Sequence, residues 1–187
     1  MRIFIAIDLP DLIKNQLASL RTYDPRVRWV DQSSFHLTLR FLGETSPIAL
    51  KEIISLLETI KSPELTLQIK GVDFFGPSHS PRLLYARVVL TEELSRLKNK
   101  IDYLLKQYGL SDDQRKYSPH ITLARISKTS SSLVGPFIQE HSLFQTRPFG
   151  ARSFTLFSSK RLEKGTFYHT EYEFPLLGPI NQYDEPA

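Results

Sequence analysis

His36-Leu37-Thr38-Leu39 recurs almost unchanged as His120-Ile121-Thr122-Leu123. Successive side chains of a β-strand point to opposite faces. Read as strand, each segment aims one imidazole and one hydroxyl to one side and two aliphatic side chains to the other. Two such strands set face to face would gather two His and two Thr around one cavity. A single His-x-Thr-Leu carries little information, because ordinary strand composition produces it. Two copies at matching places in a repeated plan carry much more, and they take two of the chain's five histidines.

The plan is read outward from these strands. Arg2 to Asp8 (RIFIAID) is β-branched and aromatic, as a buried strand requires. Pro10 then opens a helix to about Thr22, with Leu12, Ile13, Leu17 and Leu20 on one face. A short strand spans Arg26 to Val30, and Phe35 to Leu42 is the first motif strand. Ser46-Pro47 starts a helix that runs to about Lys61, and Leu65 to Phe75 alternates as a strand. The second half repeats this order. Leu83 to Leu90 is a strand. Thr91 to Tyr108 is a helix stopped by Gly109, and Tyr117 to Ile126 holds the second motif. A Ser-rich break follows, then a short segment around Phe137. Strands from Ser153 to Ser159 and Thr166 to Phe174 close the chain as a hairpin turning near Glu163-Lys164-Gly165. The pattern predicts a duplicated α+β unit, with helices outside and the inner sheet faces meeting in a cleft.

Composition narrows the function classes. The chain has 187 residues, 41% hydrophobic, with a net charge of +4, which suits one compact unit. No long basic run suggests a protein that coats nucleic acid. There is no cysteine. That excludes disulfides, thiolate zinc sites and a thiol nucleophile, and it fits the cytoplasm. The apolar stretch Ile3 to Ile7 is too short for a signal core. No apolar run approaches the roughly 20 residues of a membrane helix.

Four polar side chains on apolar strands call for partners. The duller reading makes both His ordinary residues of a duplicated fold. Metal binding would want ligands at spacings such as His-Glu-x-x-His, and none flanks either motif. A Gly-x-Ser-x-Gly elbow and a Gly-x-Gly phosphate loop are likewise missing. Two-histidine acid/base catalysis remains. Histidine titrates near neutrality, so one ring can act as base while the other is the acid. Thr hydroxyls can hold phosphate oxygens as charge builds.

The paired His-x-Thr-x motifs resemble those of the 2H phosphoesterase superfamily. Further stretches resemble its bacterial and archaeal RNA 2′,3′-cyclic phosphodiesterase branch, historically called 2′-5′ RNA ligases. They are RIFIAIDLP (residues 2–10), RVRWVDQSSFHLTLRFLGE (26–44), SPRLLYARV (80–88) and YSPHITLAR (117–125). The resemblance implies one bilobal α+β domain over residues 1–177, built of two antiparallel sheets facing across a central cleft. Residues 178–187 would be a loosely ordered tail. It implies hydrolysis of RNA 2′,3′-cyclic phosphate termini to 2′-phosphate, with reversible 2′-5′ ligation as a further capacity. His36 would be the proton donor and His120 the proton acceptor, although the near-symmetric repeat alone does not say which is which. Thr38, Thr122 and Arg125 would bind phosphate. The expected partners are RNA or nucleotide ends bearing the cyclic phosphate. No cofactor, metal or membrane is expected, and the chain is expected to act as a monomer.

Residue alternation and this resemblance disagree at one point. Strict alternation puts Arg125 on the face opposite His120 and Thr122, so it reaches the cleft only if the strand bends, bulges or ends there. Arg40 shares the face of His36 and Thr38 by alternation and is a secondary phosphate candidate, with a plain rim position as its alternative. Trp29, Phe41, Phe74, Phe75 and Tyr117 are aromatics that could stack on a base or simply fill the core. Tyr168 matches a tyrosine common near the end of such chains. His79, His141 and His169 read as surface residues, and Arg115-Lys116 as an RNA path or a solvated loop. Competing functions are a small-molecule cyclic phosphodiesterase, for example on ADP-ribose 1″,2″-cyclic phosphate, and a module that binds RNA ends without turnover.

Overall fold

The Ile-rich opening forms β1 (Arg2–Asp8), and its alternation divides the molecule. Ile3, Ile5 and Ile7 enter the core, while Phe4 and Ala6 take the other face. The computed structural model describes residues 1–111, 116–162 and 165–177. The expected tail and the tip of the closing hairpin at Glu163-Lys164 lie outside the described residues, as does Arg115.

Pro10 caps α1 (Asp11–Ala18), whose Asp11 sits in the first turn, where the helix dipole favours a carboxylate. The helix ends sooner than its apolar pattern predicts. From Leu20 on, the backbone tightens to i→i−3 bonds (Leu20 N–H to Leu17 O, 3.2 Å). β2 (Arg28–Trp29) and a short 3₁₀ turn lead into β3 (His36–Glu44). α2 (Pro47–Leu57) starts with Pro47 in its first turn and with the Ser46 hydroxyl accepting from Ala49 N–H (3.2 Å). It too ends short of Lys61.

The single strand expected from Leu65 to Phe75 is two strands, β4 (Leu65–Leu67) and β5 (Ile69–Phe75). The chain changes partners at Gln68, whose side chain donates to Thr146 O (2.9 Å). β6 (Leu83–Val88) precedes α3 (Glu92–Gln107), which Thr91 caps and in which Leu94, Leu97, Ile101 and Leu105 are fully buried. Gly109, with φ +98°, supplies the left-handed residue that ends it. β7 (His120–Arg125) carries the second motif. α4 (Val134–Glu140), β8 (Phe149–Ala151), β9 (Ser153–Leu162) and β10 (Gly165–Pro175) complete the order. β8 carries no alternation of its own and was not expected.

Two four-stranded antiparallel sheets result, in the orders β10-β9-β1-β3 and β2-β7-β6-β5, with β4 and β8 as a small third sheet. β1 pairs with β3 as β6 pairs with β7, so the duplication is real. The lobes are not the two halves of the chain, however. The first half lends β2 and β5 to the second sheet, and the C-terminal hairpin joins the first. Helix and strand residues of both lobes share one apolar core. No helix among the described residues is long and apolar enough to cross a membrane.

Ile5 is fully buried in an inner strand, whereas Leu12 is 68% exposed. Ile5→Ala is expected to lower the unfolding free energy by about 2–5 kcal/mol in urea titrations. Leu12→Ala should change it by less than about 0.5 kcal/mol. Equal effects would contradict this placement of the core.

Candidate active site

Each motif histidine is anchored by the residue two places before it. His36 Nδ1–H donates to Ser34 O (2.8 Å), and His120 Nδ1–H donates to Ser118 O (2.7 Å). A neutral ring that donates through Nδ1 keeps its lone pair on Nε2. The two imidazoles are therefore held in the same tautomer by the same local device. Its signal was present in the sequence, since both motifs read Ser-x-His-x-Thr-Leu, but the serines act through their carbonyls.

His36, Thr38, His120 and Thr122 are all half-buried and line one cleft of about 280 Å³ between the two sheets. β3 and β7 approach within 8 Å between Cα atoms there. Aromatic rings flank each imidazole. Phe4 (4.9 Å between centroids) and Tyr168 (5.1 Å) flank His36. Phe75 (4.8 Å) and Tyr85 (5.3 Å) flank His120. Phe4, which lines the cleft, and Tyr85, which packs behind His120, are residues that sequence reading missed, because an aromatic in an alternating strand looks the same on either face.

A bulge in β7 resolves the position of Arg125. Thr122 pairs with Tyr85 and Ala124 with Leu84, which leaves Leu123 without a partner. Leu123 and Ala124 are both buried, and the phase of alternation is reset. Arg125 emerges on the side of His120 and Thr122 and lines the cleft. β3 bulges at the matching residue. Thr38 pairs with Ala6 and Arg40 with Ile5, leaving Leu39 unpaired.

The same reset removes Arg40 from the site, contrary to its expected phosphate role. Arg40 is 7% exposed and turns toward α3, where it donates to Ser111 O and lies 3.6 Å from Asp102. Asp102 also binds Lys98, whose ammonium sits 5.3 Å over the Tyr117 ring. Tyr117 O–H donates to Thr38 O (3.1 Å), tying the approach to the second motif onto the first. Burial pushes that phenol well above its ordinary range.

The remaining sequence candidates separate cleanly. Phe41 is 65% exposed and lines the cleft, while Phe75 packs edge-on against His120. Trp29 is structural, packing on Phe137 (5.6 Å) and donating to Thr22 O (3.1 Å). Phe74 packs against the core. His79 and His169 are exposed, but His141 is half-buried against Phe137 (4.5 Å) and is not the surface residue expected. Lys116 is exposed.

The cleft has the electrostatics of an anion site. Arg2, Arg125 and both imidazoles line it, and no Asp or Glu among the described residues does. Among the described residues no three His, Cys, Asp or Glu side chains converge as a metal site would need. Burial lowers the His36 pKa from the ordinary 6.5, with smaller opposing contributions from the Ser34 carbonyl and Asp8 that raise it. Burial raises the Tyr168 phenol, and nearby Arg125 draws it partly back.

At pH 6.5 the His36 ring should therefore be more than half neutral. Its ring-proton NMR titration should have a midpoint below 6.5, and that midpoint should rise when phosphate binds beside it. A midpoint above 6.5 in the free protein would contradict the buried setting.

The comparisons with known proteins fit this geometry. Residues 9–158 match the model of a family described as the 2′-5′ RNA ligase superfamily. The RNA 2′,3′-cyclic phosphodiesterase of Thermotoga maritima is 29% identical over 98% of this chain and 100% of its own length. That of Bacillus subtilis is 31% identical over 65% of this chain and 69% of its own. The crystal structure of E. coli LigT complexed with 3′-AMP superposes with a TM-score of 0.75 at 26% identity, covering 94% of this chain and 97% of that one. By fold and by sequence, this chain belongs to the 2′-5′ RNA ligase superfamily.

Proposed function

We propose that this protein is a hydrolase that opens the 2′,3′-cyclic phosphate at the end of an RNA and leaves a 2′-phosphate. The observation that carries the reading is the pair of matched His-x-Thr strands with Arg125 beside them, in a cleft that no carboxylate among the described residues lines. The names of the related enzymes supply the substrate class.

Water attacks phosphorus opposite the 3′ oxygen. The new P–O bond forms from water as the P–O3′ bond breaks. His120 Nε2 takes the water proton, and His36 Nε2 gives one to the departing 3′ oxygen. Thr38, Thr122 and Arg125 hold the non-bridging oxygens, where charge builds. A phosphate anion beside His36 favours its protonated form, which offsets the burial that keeps the free ring neutral. The donor role of His36 and the acceptor role of His120 follow the family resemblance; the two rings are alike in anchoring.

The test is incubation with a 2′,3′-cyclic-phosphate-ended oligoribonucleotide in EDTA, read by phosphorus NMR. A 2′-phosphate is expected. An untouched end from folded protein would overturn the reading in favour of a binding module. His36→Ala and His120→Ala should each lower turnover by about 10²–10⁴-fold with the fold retained by circular dichroism. Near-normal turnover in either would exclude the two-histidine mechanism. Arg125→Ala should lower kcat/KM by roughly 10- to 100-fold, the worth of a hydrogen bond to a charged group.

A further inference from the structure

We propose that Arg2, with the hydroxyls of Ser159 and Thr166, forms a second phosphate site at the far end of the cleft. It would hold the phosphodiester on the 5′ side of the terminal nucleotide. The enzyme would then prefer the end of an RNA chain to a free cyclic mononucleotide. This rests on the cyclic-phosphate reading above.

The placement comes from strand register. The pairing of β1 with β9 is unbroken, with Arg2 opposite Ser159, Phe4 opposite Phe157 and Ala6 opposite Thr155. Arg2 and Phe4 therefore share a face. The Phe4 ring packs 4.9 Å from the His36 ring, so that face is the cleft face. Arg2 stands two residues further along, roughly 7 Å beyond Phe4. It lines the same cleft as both histidines, together with Ser159 and Thr166.

The guanidinium has no carboxylate at ion-pair distance among the described residues. Glu44, its neighbour in the register, meets the amino group of Met1 instead (2.7 Å). Arg26 pairs with Asp24 and Arg96 with Glu92, whereas exposed Arg28, Arg82 and Arg147, like Arg2, meet no carboxylate among the described residues but lie outside the cleft. A guanidinium beside two hydroxyls, with no carboxylate among the described residues paired to it or lining its cleft, suits a phosphate diester. From Arg2 toward the Thr38 and His36 positions the register passes through the Phe4–Phe41 pair, and both rings line the cleft. Along the groove the order is cation, aromatics, catalytic motif. It matches phosphate, nucleoside, phosphate in an RNA strand.

The experiment compares adenosine 2′,3′-cyclic phosphate with the dinucleotide ApA ending in a 2′,3′-cyclic phosphate. In the unmodified protein, kcat/KM should be about tenfold higher for the dinucleotide, and Arg2→Gln should remove most of that ratio, chiefly through KM. The ratio should also fall with added NaCl, because the dinucleotide makes one more phosphate contact. A ratio unchanged by Arg2→Gln overturns the proposal. Should Arg2→Gln not fold, a salt-independent ratio in the unmodified protein overturns it alone. Equal, efficient opening of both substrates would refute the second site while leaving the cyclic-phosphate reading intact. Opening of neither would refute both.

Discussion

A regular β-strand cannot place His120, Thr122 and Arg125 on one face, because their spacing is two and then three. The bulge at Leu123 is the constraint that makes the site. It adds one unpaired residue, turns Ala124 inward beside Leu123 and brings Arg125 round to the cleft. Without it the cation would point away from the cleft that the two imidazoles line.

The same bulge at Leu39 shows how a duplicated scaffold yields an asymmetric site. With the motifs superposed, His36 matches His120 and Thr38 matches Thr122. Arg40 then matches buried Ala124, and Phe41 matches Arg125. One lobe thus offers the cleft a cation where the other offers an exposed aromatic ring. The backbone is nearly symmetric, and the difference in chemistry comes from one side chain at each bulge. Exchange of elements between the lobes, through β2 and the β9–β10 hairpin, fastens the two halves together. The Tyr117 O–H to Thr38 carbonyl bond does so again beside the site itself.

Most of this was legible in the sequence. A β-branched and aromatic run marked β1, the repeated motif marked β3 and β7, and starts at Ser46 and Thr91 marked two helices. The motif repeat brought four of the site residues together on paper. What failed were features decided by tertiary context. The alternation of residues 65–75 does not show that the strand changes partners at Gln68. Nor does it show a bulge, so Arg40 was placed in the cleft and Arg125 needed a resemblance to put it there. Helix ends were overestimated because apolar spacing continues into turns that tighten, as at Leu20 and Ile60. Arg2 went unremarked because a charged residue at the start of a strand reads as a solvated end.

The most direct test of the account is a crystal structure with a nucleoside 2′-monophosphate bound. The account predicts the ribose 3′ oxygen within hydrogen-bond distance of His36 Nε2, and phosphate oxygens within that distance of His120 Nε2 and both threonine hydroxyls, with the Arg125 guanidinium alongside. A 3′ oxygen turned away from His36, or a phosphate bound outside the cleft with Arg125 turned away, would contradict it.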